Sequence, residues 1–454
     1  MKLKHVAYIA LAGLAAPAVA AVSADEAKQI GATLTEFGAV KGANADGSIP
    51  AYTGGLTKLP PGFKPDSGAW IDPFKDEKPL FRIDGKNMAQ YADKLSEGQK
   101  YMLKKYPTYV LNVYPTHRTA AYPEKVLKAT VRNAAGCKTL KDGLALDRAC
   151  RGGLPFPIPK SGYEAMWNQI LRYQGDTTIT TSSSRSWVVD SSGKPTMTAQ
   201  QQTLSDFIYY QTDLSDRDPD MAWRVYSITQ APARRAGEMT GIIDSLDPVD
   251  KPRKAWSYTP GQRRVKLSPE FAYDTPVASM GGVTLFDELF VFSGKMDRFD
   301  FKLLGKKEMY IQYNAYKNNY DCPTVEKALQ AAHVNPECER WELHRVWAVE
   351  ATLKAGQRHA YSKRVYYFDE DLTGAANYDA FDQNGQLYRT LYQSATPMYD
   401  KQIPYSSKNV IYDFNKGMYA YVNDVMVGGY KVPAKAPSER EMAPEAIVGR
   451  ETAR

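Results

Sequence analysis

The chain has 454 residues, and its 58 lysines and arginines against 51 aspartates and glutamates give a formal net charge of +7. With 43% hydrophobic and 24% charged residues, the composition is that of a globular protein, which excludes disorder along the whole chain. So small a charge does not favour nucleic-acid binding, which usually needs a concentrated basic patch. The unusual feature is 31 tyrosines against 15 phenylalanines and 7 tryptophans, because tyrosine suits half-buried sheets, interfaces and wet cavities.

The first twenty residues have the pattern of a cleavable export signal. Lys2 and Lys4 precede a short apolar run, and Ala18-Val19-Ala20 is a cleavage sequence, with a second option ending at Ala24. The run is too short to cross a bilayer, no cysteine follows it as a lipoprotein needs, and no later stretch is long and apolar enough to span a membrane. We predict a signal peptide over 1–20 and a periplasmic protein, peripheral at most to the outer membrane, with no transmembrane segment. Removing the two lysines lowers the charge from +7 to +5; the alternative is a mobile cytosolic N-terminus.

The four cysteines fall as two close pairs, Cys137 with Cys150 and Cys322 with Cys338. Four cysteines allow three pairings, but proximity favours one short disulfide loop in each pair. Each loop of this size contributes about 3 kcal/mol. A zinc site is the alternative, although the closely spaced cysteine pairs of zinc sites are absent from the sequence. We predict two structural disulfides and no metal, in agreement with an oxidising compartment.

After the signal, the sequence predicts an arm, one domain and a tail. Residues 21–85 are rich in glycine and proline and predict an extended surface arm. The aromatic residues that would anchor this arm are Tyr52, Phe63, Trp70 and Phe74. Residues 86–430 are predicted to form a single domain, and residues 431–454, which contain three prolines and several charged residues, a disordered tail.

Three helices are predicted in the domain. Apolar residues over 86–106 recur with a period of 3.6 and end before Pro107. A second helix is predicted to begin after Ser161, where Glu164 completes a capping box. A third fits 323–332, inside the second cysteine loop.

Most of the remaining domain has the alternating pattern of strands. Residues 298–303 alternate strictly, and the pattern resumes through Tyr313 after a predicted turn at 305–307. The other predicted strand pairs are 255–259 with 264–267, 343–353 with 359–368, and the two strands that flank Asn384-Gly385. Many strands and few helices predict a mainly β (α+β) fold: a large curved antiparallel sheet forming an open half-barrel, with a few helices packed on its concave face.

Catalytic signals in the sequence are weak. The common hydrolase, metalloprotease and nucleotide-binding motifs are absent. Ser191 and Lys194 have the spacing of a penicillin-binding enzyme but fall in a predicted hairpin turn. His344 and His359 fall on facing strands of one predicted hairpin, a placement that would allow them to lie near each other but lacks a third metal ligand. We interpret both as hydrogen-bonded strand residues.

The aromatic strands carry a more useful hypothesis. A curved sheet with aromatic residues on its concave face can line an apolar cavity that binds a ligand. The predicted lining residues are Trp256, Tyr258, Phe290, Phe292, Phe299, Phe301, Trp347, Tyr366 and Phe368. The alternative is that helices fill the same face, so that these residues form ordinary core.

Four sequence blocks carry a family resemblance: NADG to TGG at 44–55, GGLPFP at 152–157, KAWSYTPGQRRV at 254–265 and WELHRVW at 341–347. With them the chain resembles domain-of-unknown-function family 1329 (DUF1329), exported proteins of Gram-negative bacteria, over nearly its whole mature length. A weaker resemblance, over 256–267 and 365–391, is to the Lol lipoprotein carriers. This resemblance implies an open half-barrel with a cavity for acyl chains, and it supplies no catalytic residues. The long arm and the disulfide loops depart from the Lol carriers, which puts lipoprotein cargo in doubt.

From these observations we expect a periplasmic carrier or chaperone rather than an enzyme, without a cofactor. It would bind a lipid, sterol-like or aromatic ligand by burial of apolar area and pass it between envelope components. The family resemblance implies an outer-membrane protein and a resistance-nodulation-division-type exporter as partners. A structural adaptor for such an assembly, using residues 25–80 of the arm as its contact, is the first alternative. An envelope ester hydrolase with a site near His344 or His359 is the second.

Overall fold

The computed structural model describes residues 22–320, 322, 324–425 and 429–453, so the predicted signal peptide over 1–20 lies outside the described residues. The described part contains eighteen strands, seven α-helices and eight 3₁₀ helices. The strands are β1 (Phe81–Ile83), β2 (Leu111–Val113), β3 (Thr139–Leu140), β4 (Ala145–Leu146), β5 (Thr178–Val189), β6 (Pro195–Asp206), β7 (Met221–Ala231), β8 (Met239–Ser245), β9 (Lys254–Thr259), β10 (Arg264–Leu267), β11 (Phe299–Gln312), β12 (Trp341–Leu353), β13 (Lys363–Asp369), β14 (Gly374–Phe381), β15 (Leu387–Ala395), β16 (Ser406–Asp413), β17 (Met418–Asp424) and β18 (Tyr430–Lys431). The α-helices are α1 (Ala24–Ala27), α2 (Glu97–Lys105), α3 (Glu124–Gly136), α4 (Gly162–Ile170), α5 (Tyr316–Tyr320), α6 (Val325–Ala328) and α7 (Pro444–Thr452). The 3₁₀ helices are Met88–Lys94, Arg148–Cys150, Ile208–Tyr210, Ala233–Arg235, Ala278–Met280, Phe286–Glu288, Pro336–Cys338 and Tyr399–Lys401.

Sixteen of the described strands form one sheet. Its order is β1-β2-β12-β13-β14-β15-β16-β17-β5-β6-β7-β8-β9-β10, with β11 on β12 and β18 on β5, while β3 and β4 form a separate hairpin. Pairing is antiparallel apart from one parallel bridge between β2 and β12. Because the two ends of this order do not pair within the described residues, the sheet is not closed into a barrel. The predicted class, mainly β with an open sheet and few helices, is confirmed.

The face of the sheet that carries α4, called here the inner face, supports the largest hydrophobic core. Helix α4 begins where predicted, because the Ser161 hydroxyl accepts a hydrogen bond from the Glu164 amide at 3.2 Å. At Gly162 the helix lies so close to β11 that an added Cβ would meet the Phe301 backbone at 2.4 Å. Over β5 to β9, the inner face is covered instead by the connection 268–298 between β10 and β11, called here the covering loop.

Two smaller cores lie outside this main core. One is formed by α2, the short strands β1 and β2 and the second disulfide loop, packed against tyrosines of β15 to β17. The other lies on β6 to β9 and is covered by the C-terminal segment.

The C-terminal segment, described over residues 431–453, differs from the disordered tail expected for 431–454, since it contains α7 and contributes buried Met442 and Ile447 to the core on β6 to β9. Arg224 Nη1 donates to Glu439 Oε2 at 2.6 Å, and Arg450 Nη2 donates to the Tyr226 hydroxyl at 3.1 Å. The reason is that outward-facing aromatic residues on β7 and β9 form an apolar patch that requires cover.

Two local predictions along the chain are also corrected. The helix predicted over 86–106 is a 3₁₀ helix, Met88–Lys94, followed by α2, because Ser96 caps a new helix through a capping box with Gln99. The turn predicted at 305–307 is a β-bulge between Leu303 and Gly305 within the continuous strand β11. Gly305 has φ of 97°, a left-handed conformation that permits the bulge without ending the strand.

The helix predicted over 323–332 is shorter than expected: it is present only as α6, which ends at Ala328.

Both predicted disulfides, Cys137–Cys150 and Cys322–Cys338, are present. The hairpins through Pro260-Gly261 and Asn384-Gly385 are present, as β9–β10 and β14–β15.

The predicted arm aromatics all contact other parts of this chain. The Tyr52 hydroxyl donates to the Ala120 carbonyl at 2.8 Å, and Trp70 Nε1 donates to Asp400 Oδ1 at 2.7 Å. The ring of Phe63 lies 5.0 Å from that of Tyr399, and Phe74 stacks on His117 at 4.0 Å. The four rings therefore hold the arm against its own domain.

The docking of α7 is testable through Ile447, which is 1% exposed. We expect Ile447→Ala to weaken docking by about 2 kcal/mol, since a buried aliphatic side chain is lost. That free energy raises the open population, and hence the rate of limited proteolysis at residues 431–453, about 30-fold. Glu445→Ala, at an exposed position of the same helix, is the matched control and leaves the rate unchanged. Equal cleavage of the two variants would contradict the docked helix.

Candidate functional site

Two cavities lie between the covering loop and the inner face of the sheet. Cavity A has a volume of about 240 Å³ and lies over β5 to β8. Cavity B has a volume of about 290 Å³ and lies over the ends of β7 to β9, beside the end of α4. Phe271 of the covering loop lines both cavities, so one ring separates them on the loop side.

Cavity A has walls of two kinds. The sheet side is rich in hydroxyl and amide groups, which come from Thr181, Ser186, Gln201, Thr203, Ser205, Ser227, Thr229 and Thr240. The loop side is apolar and consists mainly of Phe271, Pro276, Val277, Met280, Phe286, Leu289 and Phe290. Several polar groups bond to each other, for instance the Thr181 and Thr203 hydroxyls at 2.6 Å. An occupant would therefore contact hydrogen-bonding groups on one side and hydrocarbon on the other.

Cavity B has more charge in its wall. Arg253 pairs with Asp244 through two contacts, of 2.7 and 2.6 Å, and also donates to the Ser293 hydroxyl at 2.6 Å. Asp287 and Lys295 also line this cavity, among proline and aromatic residues.

A third space, called here the junction pocket, lies between the two cavities. Its volume is about 30 Å³. It shares Ser205 and Phe290 with cavity A, and Ile170 and Ala222 with cavity B. The three spaces therefore adjoin one another beneath the covering loop.

Buried ion pairs fix the covering loop to the sheet. Asp287 and Glu288 lie on its second 3₁₀ helix and are 4% and 1% exposed. Arg364 Nη2 of β13 donates to Asp287 Oδ2 at 2.5 Å, and Arg389 Nη1 of β15 donates to Glu288 Oε2 at 3.0 Å. Burial alone would raise the pKa of Asp287, but Arg364 and His359 outweigh it and hold that pKa well below its usual range.

Phenol groups complete the attachment of the loop. The Tyr361 and Tyr378 hydroxyls donate to Glu288 Oε1 at 2.6 and 3.1 Å.

The backbone turns sharply just after this attachment. Phe290 and Val291 have φ of 56° and 76°, which is uncommon for any residue with a side chain and strained for a β-branched one. This turn places the Phe290 ring in the wall shared by cavity A and the junction pocket.

The nine aromatic residues predicted to line a cavity have three different locations. Phe290 lines cavity A and the junction pocket, and Phe292 lines the junction pocket. Phe299, Phe301 and Tyr366 pack in the main core, and Trp347 and Phe368 border a space of only about 10 Å³. They lie there because α4 and the arm fill this half of the inner face, as the filled-core alternative predicts.

Trp256 and Tyr258 are on the other face of the sheet. Ala255 lines cavity B, so its neighbour Trp256 points outward, since side chains alternate along a strand. Both aromatic residues belong to the core with Met442 and Ile447. Their placement on the concave face is corrected, because alternation alone does not say which face of a strand is inside.

The polar wall of cavity A was missed by the sequence reasoning. Its signal is the alternation of Gln201, Thr203 and Ser205 on β6, with Ser227 and Thr229 on β7. Such a polar face is normally interpreted as solvent-exposed.

The two histidines do not lie together. His344 is on β12 near the end that pairs with Asp369 of β13, whereas His359 precedes β13 at the opposite end of the hairpin. His359 Nε2 is 3.0 Å from Asp287 Oδ2, and His344 stacks on Tyr313 with the ring centres 4.0 Å apart. Both rings are buried. The two rings are apart because the connecting turn is at the far end of the hairpin from His344.

Ser191 and Lys194 lie in the turn between β5 and β6, as predicted. In the described residues, no group of three or more histidines, cysteines or acids has the geometry of a metal site. Among the same residues, no helix has the length and apolar character needed to cross a bilayer.

His344 makes the stability of the fold depend on pH. Its Nε2 is 3.2 Å from Glu342 Oε2 and its Nδ1 is 3.2 Å from Asp369 Oδ2. Burial opposes the charge, but the two carboxylates outweigh it and raise the pKa of His344 to about 9 from the ordinary 6.5. Because the folded pKa is the higher one, the stabilisation is complete below pH 6.5 and is lost as the pH rises through 9.

We therefore expect the free energy of unfolding of the native protein, relative to His344→Gln, to fall by up to about 3 kcal/mol between pH 6 and pH 9.5. Urea denaturation of both proteins across this range measures the difference. Parallel pH curves would show that His344 is not charged in the folded state.

The attachment of the covering loop can be tested at Glu288. Glu288→Gln removes the carboxylate that faces Arg389 and is expected to lower the free energy of unfolding by about 3 kcal/mol, because a buried cation loses one partner. Glu270→Gln, in an exposed part of the same loop, is the matched control and leaves the stability unchanged. Urea denaturation of both variants gives the comparison, and equal stabilities would contradict the role of this ion pair.

Comparison with known proteins places the chain in a family. The family described as "Protein of unknown function (DUF1329)" matches residues 82–447. "Uncharacterized protein PA3922" of Pseudomonas aeruginosa is 41% identical over 424 residues, 92% of this chain and 91% of that protein.

Solved structures with a similar chain path have low sequence identity. A putative outer membrane lipoprotein-sorting protein domain from Vibrio parahaemolyticus is 13% identical, with a TM-score of 0.43, over 63% of this chain and 98% of its own. A DUF1329 family protein from Desulfovibrio piger is 14% identical, with a TM-score of 0.41, over 62% and 95%. The LolA superfamily protein NE2245 from Nitrosomonas europaea is 9% identical, with a TM-score of 0.36, over 63% and 99%. On the family match and the 41% identical relative, this chain belongs to the DUF1329 family.

Proposed function

We propose that this protein is a periplasmic carrier that binds an amphiphilic ligand beneath the covering loop and transfers it between components of the cell envelope. The observation that carries the proposal is the pair of cavities, of about 240 and 290 Å³, between the covering loop and the inner face of the sheet. Protein interiors are normally close-packed, so spaces of this size on the inner face need a reason.

The walls of cavity A favour an amphiphile over a purely apolar ligand. Its aromatic and aliphatic loop side offers burial at about 25 cal/mol per Å² of apolar area. Its hydroxyl-rich sheet side offers hydrogen bonds that a hydrocarbon would leave unused. A compound with one polar and one apolar side, such as a lipid with its headgroup or a sterol-like molecule, satisfies both walls.

The export part of the proposal is supported by the two disulfides. Disulfides persist in oxidising compartments and are rare in the reducing cytosol. The signal peptide predicted over 1–20 agrees with this location.

The alternatives have weaker support. The adaptor hypothesis uses residues 25–80 of the arm as a contact surface, but the aromatic residues of the arm contact other parts of this chain, as with Trp70 on Asp400. The hydrolase hypothesis used His344 and His359, but both are buried among charged partners at opposite ends of one hairpin. The carrier hypothesis is the one that gives the two cavities a role, as the place where the ligand binds.

The binding experiment uses a neutral hydrophobic fluorescent probe, N-phenyl-1-naphthylamine, with protein freed of lipid by denaturation and refolding. We expect saturable binding to the native protein. Ser227→Phe places a ring in the sheet side of cavity A and is expected to weaken binding at least tenfold, about 1.4 kcal/mol.

Thr196→Phe is the matched control, because it adds a similar ring at an exposed position near the β5–β6 turn, away from the cavity. We expect it to bind the probe like the native protein. Absence of binding to the native protein, or equal binding by Ser227→Phe and Thr196→Phe, would rule out cavity A as the binding site.

A further inference from the structure

A straight row of hydroxyl-bearing residues crosses the sheet side of cavity A. In the register of the sheet, Thr181 of β5 pairs with Thr203 of β6. Ser227 of β7 pairs with Thr203 on one side and with Thr240 of β8 on the other. All four residues line cavity A and are called here the hydroxyl row. Because neighbouring strands lie about 4.8 Å apart, the row repeats at that spacing.

The hydroxyl row is open toward the cavity. Ser227 and Thr240 are half-buried, whereas their strand neighbours Tyr226 and Met239 are buried on the other face of the sheet beneath the C-terminal segment. Side chains alternate along a strand, so the exposed part of Ser227 and Thr240 faces cavity A.

Two adjacent hydroxyls of the row are available to a ligand. The Thr181 and Thr203 hydroxyls bond to each other at 2.6 Å. The Ser227 and Thr240 hydroxyls have no hydrogen-bond partner among the described residues. Each hydroxyl can donate one hydrogen bond and accept others. Open hydroxyls side by side on paired strands therefore suit a ligand that carries several hydroxyls of its own.

The charges of the wall favour an uncharged polar group at the row. Of the described residues that line cavity A, Arg235 and Glu238 are charged, and they pair with each other at 2.8 Å. A charged headgroup would lose its hydration at the row without gaining an opposite charge, which is costly. A hydroxyl group loses less hydration and gains hydrogen bonds.

The inner face becomes apolar next to the row. Two residues away from it along β7 and β8, Val225 and Ile242 pair in register and also line cavity A. Ala255 of β9 pairs with Ile242 and lines cavity B. A ligand whose head lies at the hydroxyl row therefore has an apolar surface for its tail on the side of cavity B.

We propose that the head of the ligand is an uncharged group with several hydroxyls, a glycosyl or similar polyol group, which lies along the hydroxyl row while the apolar tail lies against Val225 and Ile242. In the opposite wall of cavity A, the rings of Phe271 and Phe286 stack with their centres 4.5 Å apart. Such rings pack well against the carbon–hydrogen surface of a sugar ring. This inference rests on the proposed carrier function and adds the chemical class of the headgroup to it.

The experiment compares four ligands that share a ten-carbon tail: decyl glucoside, decanol, decanoate and decyltrimethylammonium. Isothermal titration calorimetry on lipid-free protein at pH 7.5, below the micelle concentration of each ligand, measures the four affinities. We expect the glucoside to bind at least tenfold tighter than each of the other three. Decanol offers the row one hydroxyl, and the two ions bring a charge that the row does not neutralise.

The double variant Ser227→Ala with Thr240→Val tests the row directly. It removes two hydroxyls that have no partner in the chain, so no other group loses a hydrogen bond. We expect the glucoside to lose at least tenfold in affinity and decanol to bind as before. If circular dichroism shows that the double variant is misfolded, Ser227→Ala alone repeats the comparison.

Ser191→Ala with Thr196→Val is the matched control, because it makes the same two chemical changes at exposed positions near the β5–β6 turn, away from the cavity. We expect it to bind all four ligands like the native protein. An equal loss of glucoside affinity in the two double variants, or no loss in either, overturns the role of the row.

The remaining outcomes separate this inference from the carrier function. Binding of none of the four ligands to the native protein overturns the carrier function itself. Binding of decanol or of either ion as tightly as the glucoside overturns the row and leaves the carrier standing. Binding of free glucose as tightly as the glucoside would show a sugar site that does not use the tail, and would overturn the amphiphile.

Discussion

The covering loop stays above the sheet because two buried carboxylates hold it there. Asp287 and Glu288 meet Arg364 and Arg389, which belong to β13 and β15, at 2.5 and 3.0 Å. These strands lie in the half of the sheet that α4 and the arm fill, whereas the loop extends over β5 to β9. The two carboxylates therefore attach one part of the loop to β13 and β15, and the rest of the loop crosses β5 to β9 with the two cavities beneath it.

That attachment explains why one sheet has a packed half and an open half. On β11 to β15, aromatic residues interlock with α4, as in the edge-to-face contact of Tyr163 with Phe301 at 5.3 Å. On β5 to β8, most residues that line cavity A are Ser, Thr and Gln, joined by Val225 and Ile242, and polar side chains do not pack closely with the hydrocarbon of the loop. The inner face of the sheet therefore changes from aromatic to polar side chains where its cover changes from α4 to the covering loop.

The sequence predicts the elements better than it predicts the faces. The turn chemistry at Asn384-Gly385 and the strand pattern over 343–353 are local signals, and the hairpin and strand β12 are both present, although β12 is buried on both faces and its burial does not alternate. Which face of β9 is inside depends on a helix more than 180 residues further along the chain, so Trp256 was placed on the wrong side. The polar wall of cavity A was missed for the same reason, since the alternation of Thr203 and Ser205 on β6 does not tell a cavity wall from a solvent-exposed face.

A carrier has to remain folded when it is empty, and the polar wall of cavity A meets that requirement. A cavity lined only by hydrocarbon tends to stay dry and costs stability for every contact that its walls lose. Hydroxyl groups such as those of Ser227 and Thr203 can bind water when no ligand is present. Exchange of water for an amphiphile then changes the partners of these groups without leaving them unsatisfied. The same polar wall that makes the cavity suitable for an amphiphile thus also makes the empty state stable enough to receive one.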